Sequence, residues 1–207
     1  MILPDEPGRL LTEFLPQFFA RLAAPEGAAG ALRPPAHRAP APVGIVLRVV
    51  GAGEWTLRIV GTELVVLPGA GEDAALQISL SARDWEPLVV TPLSRALEQQ
   101  AGAAAPARGT IWARLGRWDA ETVDLLRRQP GGVLVRVDDA GTARNVALTP
   151  GSQQHSLETA ACIIDCALSD LLELQAKRKN PLDLFYAGQI RISGDAQVAL
   201  AMAGLFL

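Results

Sequence analysis

The chain has 207 residues, of which 49% are hydrophobic and 20% are charged, and its formal net charge is −3 at pH 7. This length and apolar content suffice for one domain or two small ones. The mildly acidic balance and the scattered Lys and Arg residues argue against nucleic acid as a partner. The chain starts without a basic segment followed by an apolar run, so we expect a cytoplasmic protein.

The first predicted element is an amphipathic helix. Its apolar residues recur at three- and four-residue spacing from Leu10 to Leu22, and Pro16 is expected to bend or interrupt it. We expect this helix to pack on a neighbouring sheet. Transient membrane contact stays open, although the polar face lacks the Lys/Arg excess typical of membrane-surface helices. A linker rich in Ala, Pro and Gly follows, and residues 1–42 are assigned to this N-terminal segment.

From residue 43 the hydrophobic period changes to two. The alternation predicts a β-hairpin over residues 43–60, a third strand over 63–67 and a fourth over 75–80. Ser81 predicts the cap of a short helix. Thr91, followed by proline, predicts the start of another helix.

The same series then returns. After a predicted fifth strand over residues 109–115 and a helix capped by Asp119, the landmarks repeat in the same order. The matched pairs are residues 43–49 with 131–137, 75–80 with 161–166, and 109–116 with 188–194. The second series has a polar stretch, residues 151–156, where the first has its third strand. The order of the matches predicts two copies of one unit, at residues 43–128 and 129–207.

The second copy ends in a specific run of residues. Asn180 followed by Pro181 predicts a helix start, because the Asn side chain accepts from the first turn and proline wastes no donor there. Gly188 ends that helix, and an Ile-x-Ile strand follows. Gly194 and Asp195 then precede a terminal helix, with Asp195 as its cap.

This run resembles the signature region of the sterol carrier protein 2 family. The family pattern is a helix opened by a residue and proline, a Phe three residues before a glycine, an I/L-x-I/L strand, and Gly-Asp or Gly-Asn before the last helix. Here Phe185 and Gly188 stand at that spacing. Residues 119–207 match a whole unit, and residues 10–126 match a second, more diverged one. The resemblance implies an α+β fold of tandem SCP2-like units, each a curved, mostly antiparallel five-stranded sheet covered by helices.

The resemblance also implies a function. Such units are usually non-catalytic lipid-binding or carrier proteins, which hold a sterol, fatty acyl, phospholipid or isoprenoid ligand in an apolar tunnel for transfer or presentation. Bacterial relatives include accessory proteins of ubiquinone biosynthesis. The alternative is therefore an accessory or scaffold subunit of a lipid or ubiquinone-type biosynthetic complex, and an enzyme acting on a hydrophobic substrate is a third hypothesis. The implied partners are a hydrophobic small molecule and an enzyme of a lipid pathway, without a cofactor.

The residues expected to contact ligand are apolar positions on the predicted helices and strands. They are Trp55, Leu57, Trp85, Leu88, Leu171, Leu174, Leu182, Phe185, Ile190, Ile192, Val198, Met202 and Phe206. Ordinary core packing explains the same positions, and the pattern alone does not separate a filled core from a tunnel.

Residues that could carry chemistry are sparse. His37 and His155 lie in loop-like sequence, and Cys162 and Cys166 share one face of a predicted strand, so no metal-ligand spacing is present. Both cysteines are expected to act as small core hydrophobes.

Charged residues on the predicted strands have two interpretations each. Asp165 points away from the cysteines, which favours a solvated outer face over a catalytic acid. Arg48 and Arg136 occupy equivalent positions in the two copies, which favours a structural role over recognition of a lipid head group. Under the enzyme hypothesis, the carboxylate would be Asp165 or Asp195.

Overall fold

A computed structural model describes residues 3–23, 44–60, 63–100, 120–151, 160–175 and 178–199. The predicted linker, the predicted fifth strand at residues 109–115 and the polar stretch from residue 152 lie outside these ranges. Met202 and Phe206 also lie outside them.

The first helix, α1, spans residues 7–23 without a break. Its segments are an α-helical turn at Pro7–Arg9, a π-helical turn at Leu10–Phe14 and an α-helix at Leu15–Ala23. Pro16 has no N–H, and in a regular α-helix its ring would clash with the carbonyl four residues earlier. The N–H of Leu15 instead reaches back five residues to the carbonyl of Leu10. This wider turn accommodates the proline, so the predicted interruption takes the form of a π-helical turn.

Four strands follow, and they confirm the predicted hairpin and the two strands after it. They are β1 (Gly44–Val50), β2 (Gly53–Val60), β3 (Glu63–Pro68) and β4 (Ala74–Ser81). The hairpin turn contains Gly51 with a φ of +90°, a conformation that glycine adopts without strain.

The second helix, α2, covers residues 82–100 as one unit. Its segments are Ala82–Trp85, a π-helical turn at Glu86–Val90, and Thr91–Gln100. Ser81 caps it, since its Oγ accepts from the Asp84 N–H at 3.2 Å and donates to Asp84 Oδ2 at 2.8 Å. The prediction that Thr91 opens a separate helix was wrong. The φ and ψ of Thr91 are helical, and its N–H binds the carbonyl of Glu86. The π-helical turn at Glu86–Val90 precedes Pro92, as the turn in α1 precedes Pro16.

The second half of the chain contributes three helices and four strands to the described structure. They are α3 (Ala120–Arg127), β5 (Val133–Asp139), β6 (Thr142–Pro150), β7 (Cys162–Ala167), α4 (Leu168–Gln175), α5 (Pro181–Tyr186) and β8 (Ile190–Gly194). A helical turn at residues 196–199 follows β8.

The described strands form one sheet in the order β3-β2-β1-β4-β6-β5-β7-β8. The β1–β4 and β5–β7 pairs are parallel, and the other neighbours are antiparallel. The prediction of a five-stranded sheet in each unit differs from this arrangement, since the described strands form one eight-stranded sheet whose halves join through β4 and β6. Whether the two copies share a sheet was left open by the sequence. A strand edge exposes unpaired N–H and C=O groups, and the β4–β6 pairing satisfies both edges at once.

The two halves of the sheet have the same pairing pattern. In each, an antiparallel hairpin, β1–β2 or β5–β6, is followed by a strand that pairs in parallel with the hairpin's first strand. Ile45 lies beside Leu76 in the first half, as Val133 lies beside Cys162 in the second. This register reproduces the matches in the sequence.

Candidate functional site

One face of the sheet is apolar across all eight described strands. Strand alternation and register place Ile45, Leu76, Val133 and Cys162 on this face. The helices contact it in chain order. Helix α1 contacts β3, α2 contacts β1 and β4, α3 contacts β4, α4 contacts β5 and β7, and α5 contacts β8. The space between helices and sheet is therefore the candidate ligand-binding region, and it holds three clusters of buried side chains.

The first cluster lies under α1 and α2. Its buried members are Leu3, Leu10, Leu11, Leu15, Phe19, Leu47, Val49, Trp55, Leu57, Leu64, Leu80, Trp85, Val90 and Leu97. Three predicted ligand contacts, Trp55, Leu57 and Trp85, come together here. The buried residues of α1 were not named as site residues, although their helical spacing predicts one apolar face.

The second cluster lies at the middle of the sheet. Its buried members are Ile45, Ala75, Leu76, Val123, Leu126, Val133, Cys162, Val198 and Ala199. Val198 is the predicted site residue in this cluster. It comes from the helical turn after β8, whereas Val123 and Leu126 come from α3. With Ile45 and Leu76 from β1 and β4 and Val133 and Cys162 from β5 and β7, the cluster joins residues from both halves of the chain.

The third cluster lies under α4 and α5. Leu88, Val137, Cys166, Leu184 and Ile190 are its buried members. Among the partly buried residues packed against it are Leu171, Leu174 and Ile192, so it gathers five of the predicted ligand contacts. The sequence analysis did not name Val137 or Leu184. Strand alternation identifies Val137, but the orientation of a six-residue helix depends on what it packs against.

Leu88 belongs to the first half of the chain, yet it packs in the third cluster. Helix α2 therefore crosses from one half to the other. The three clusters also share partly buried residues at their borders, such as Val146 between the first and third and Ile78 between the first and second. The apolar layer is consequently continuous from β3 to β8.

The structure places two predicted site residues at the surface. The side chains of Leu182 and Phe185 are 58% and 45% exposed, and neighbouring Tyr186 is 82% exposed. Leu184, between them, is the residue of α5 that faces the third cluster. The helix thus presents Leu182 and Phe185 outward, and they do not line the region between helices and sheet.

The predicted caps around the signature run are present. Asn180 Oδ1 accepts from the Leu182 N–H at 2.9 Å, and Asp195 Oδ1 accepts from the Gln197 N–H at 2.9 Å. Gly194 has a φ of +87°, and a Cβ at this position would overlap the carbonyl oxygen of Ala161. Glycine is therefore required there by both conformation and close backbone approach.

The strand arginines form ion pairs on the opposite face of the sheet. Arg48 pairs with Glu54, which lies directly across from it on β2. Arg136 binds both carboxylate oxygens of Asp165 at 2.7 and 2.8 Å, and this hydrogen bonding raises the pKa of the arginine. The predicted structural role of both arginines is confirmed. Asp165 lies on the outer face, and Asp195 serves as a helix cap.

Both cysteines are buried in the apolar layer. Burial raises the pKa of the Cys162 thiol, and it raises that of Cys166 to about 11. Within the described ranges, no group of three or more His, Cys, Asp and Glu side chains could hold a metal ion.

None of the helices in the described part of the chain is both long and apolar enough to cross a bilayer.

Comparisons with known proteins were made for both sequence and structure. A comparison with curated protein sequences found no match. The chain is similar to apo sterol carrier protein 2 from Yarrowia lipolytica, with 15% identity over 42% of this chain and 74% of that one and a TM-score of 0.34. It is also similar to sterol carrier protein 2 like 2 from Aedes aegypti, with 18% identity over 56% of this chain and 97% of that one and a TM-score of 0.33. At these identities and TM-scores, the structural likenesses carry no argument on function.

The family comparison concerns the second half of the chain. A model of the SCP-2 sterol transfer family matches residues 113–207. This range contains the signature run, α4, α5 and the strands β5 to β8. The resemblance predicted from residues 180–195 is thus confirmed by the match of the SCP-2 sterol transfer family model over residues 113–207.

Proposed function

We propose that this protein binds a hydrophobic ligand of the lipid class between its helices and its sheet and transfers or presents it without catalysis. The observation that carries the proposal is the third cluster. It lies within the region matched by the family, and it gathers Leu88, Leu171, Leu174, Ile190 and Ile192 under two helices. Such a lining favours apolar ligands, because all five of these side chains are aliphatic.

The repeated pairing pattern supports a tandem arrangement. We infer that residues 43–128 and 129–207 are two copies of one unit, whose sheets have merged at β4 and β6. The first copy would then offer a related apolar surface under α1 and α2. The ligand classes that we propose are sterols, fatty acyl chains, phospholipids and isoprenoids.

Native mass spectrometry of the protein, purified without denaturation, tests this function together with displacement of a fluorescent fatty acid. We expect co-purified lipid and saturable displacement. Leu174→Trp should fill space in the third cluster and weaken fatty acid binding about tenfold, a loss of about 1.4 kcal/mol. The matched control is Leu125→Trp, since Leu125 is exposed on α3. Protein that carries no lipid and displaces no probe contradicts the proposal.

A second candidate function is that of an accessory subunit that presents its ligand to a partner enzyme. The exposed side chains of Leu182, Phe185 and Tyr186 on α5 favour it, because adjacent exposed apolar side chains often mark interaction sites. Co-purification from the native host with an enzyme of a lipid pathway would support it, provided that Leu182→Ser with Phe185→Ser abolishes the association. Leu125→Ser is the control that should retain the partner.

A further inference from the structure

The indole N–H of Trp85 is a buried hydrogen-bond donor without an acceptor. The side chain is only 2% exposed, and its Nε1 has no hydrogen-bond partner in the described structure. Buried Trp N–H groups usually find a partner, because an unpaired donor loses its hydrogen bond to water without compensation. An unpaired one in a native core therefore requires an explanation.

The surroundings of Trp85 do not supply the acceptor. The buried members of its cluster are aliphatic and aromatic side chains from α1, α2 and strands β1 to β4, together with Leu3, and Val146 of β6 packs against them. The carboxylate that precedes it, Asp84, is engaged elsewhere. Its oxygens accept from Ser81 at 2.8 Å, from Arg144 at 3.4 Å and from the Asn145 N–H at 3.5 Å.

The donor is specific to the first half of the chain. Leu80 on β4 and Cys166 on β7 occupy equivalent positions in the two parallel pairs. Counting onward from them, Trp85 in α2 corresponds to Leu171 in α4. The first half thus has an N–H where the second half, which the family model matches, has only an aliphatic side chain.

The two helices over this cluster share a second feature. Each contains a π-helical turn, Leu10–Phe14 in α1 and Glu86–Val90 in α2, and the second begins directly after Trp85. Such turns occur frequently at functional sites. Both turns lie over the first cluster. The helices that cover Trp85 therefore depart from regular α-helical hydrogen bonding close to its unpaired N–H.

We propose that the first half binds a neutral lipid whose carbonyl oxygen accepts a hydrogen bond from Trp85 Nε1, with its hydrocarbon chain among the residues of the first cluster. The ligand is neutral because the cations near this cluster are already paired. Arg48 and Arg58, on the opposite face of the sheet, pair with Glu54 and Asp73, and Arg144, which reaches Asp84 beside Trp85, pairs with Asp84 and Asp139. Among these residues a carboxylate would find no unpaired counter-charge. This site is separate from the third cluster, and it lies in the half that the family match does not cover.

Nuclear magnetic resonance of the full chain tests this site directly. The sequence contains four tryptophans, so the ¹⁵N-labelled protein gives few indole signals, and Trp85→Phe assigns the relevant one. The probes are 2-undecanone, a neutral ketone, and undecane, the hydrocarbon of the same carbon count. The ketone should move the Trp85 indole proton downfield, whereas undecane should not, because only the ketone offers an acceptor.

Binding of the same probes supplies an independent measurement. The wild-type protein should prefer the ketone to the alkane at this site by about fivefold, the effect of one ordinary hydrogen bond. Trp85→Phe should abolish the preference. Leu125→Ala is the control, since Leu125 is exposed on α3, outside the first cluster, and its truncation should leave the preference intact.

The outcomes separate this inference from the proposed function. A Trp85 indole signal that neither probe moves, or an equal preference in wild type and Trp85→Phe, overturns the carbonyl site. If fatty acid displacement still responds to Leu174→Trp, the function proposed for the third cluster stands. If the ketone moves the Trp85 signal while fatty acid displacement fails, the carbonyl site stands and the function proposed for the third cluster is contradicted. If Trp85→Phe folds poorly, Trp55→Phe, Trp112→Phe and Trp118→Phe assign the other three indole signals, and the wild-type spectrum remains decisive.

Discussion

Trp85 and Leu88 lie three residues apart on α2 but pack in different clusters. Trp85 belongs to the first cluster, under α1, whereas Leu88 packs with Val137 and Cys166 in the third cluster. The helix of the first half thus completes the core of the second half. From this contact and the β4–β6 pairing we expect the two halves to unfold as one cooperative unit.

Leu88→Ala should therefore destabilise the whole protein. We expect a loss of about 2–4 kcal/mol in the free energy of unfolding, since truncating a buried Leu leaves a cavity. Urea unfolding followed by circular dichroism and by tryptophan fluorescence should show a single shared transition. Leu125→Ala, at a position that is 55% exposed, should change stability by less than about 0.5 kcal/mol. Two separate transitions, only one of them shifted by Leu88→Ala, would contradict this view.

Gly194 and Gly141 provide a matched pair of substitutions. Both have a φ of +87°, but a Cβ on Gly141 would meet nothing nearby, whereas one on Gly194 would overlap the Ala161 carbonyl. Gly141→Ala should cost about 1–2 kcal/mol from its backbone conformation. Gly194→Ala should cost about 1–3 kcal/mol more, because the backbone must also move. Equal melting temperatures for the two variants would show that the close approach is unimportant.

Ser81 and Ser169 differ in role despite similar sequence positions. Ser81 caps α2, whereas α4 already begins at Leu168, so Ser169 lies inside its helix. Ser81→Ala should destabilise the protein by about 1 kcal/mol through loss of the cap. Ser169→Ala should be neutral within about 0.5 kcal/mol, because its side chain is exposed. Thermal unfolding measures both, and a larger loss for Ser169→Ala would reverse the assignment.

The ion pair between Glu173 and Arg178 should make stability depend on pH. Hydrogen bonding to Arg178 lowers the pKa of Glu173 below its ordinary value of 4.5. A depressed carboxyl pKa contributes stability above the unfolded-state pKa, and this is lost as the pH falls through the folded-state pKa. The stability difference between wild type and Arg178→Gln should thus be constant near neutral pH and shrink below about pH 4.5. A difference that grows in acid would contradict the pairing.

The cysteines should be unreactive in the native protein. With a pKa of about 11, Cys166 carries about one thousandth of its population as thiolate at pH 8, and burial restricts access as well. Iodoacetamide should label neither Cys162 nor Cys166 until the protein unfolds, as peptide mass spectrometry would detect. Labelling in guanidinium chloride is the control. Fast labelling of Cys166 in the folded protein would mean that the third cluster opens readily.

Helix caps and strand alternation were predictable from the sequence because they depend on neighbouring residues. Asn180, Ser81 and Asp195 cap helices as predicted, and the alternation over residues 43–80 identified both the strands and their inward face. The π-helical turns before Pro16 and Pro92 were not predicted, although an irregularity at Pro16 was. A π-helical turn depends on a choice between hydrogen-bonding partners, and Pro16 in the sequence shows only that one donor is missing.

The sequence by itself determined the local elements and the family resemblance of the run at residues 180–195, since each rests on short-range spacing. Only the tertiary structure decided that β4 and β6 join the halves in one sheet, that Leu88 crosses to the third cluster, and that Leu182 and Phe185 face outward. These features depend on which strand edge finds a partner and which helix face is covered. Such contacts join residues far apart in the chain. Hydrophobic burial drives them, and because it is non-directional, the pattern of apolar residues does not specify which surfaces pair.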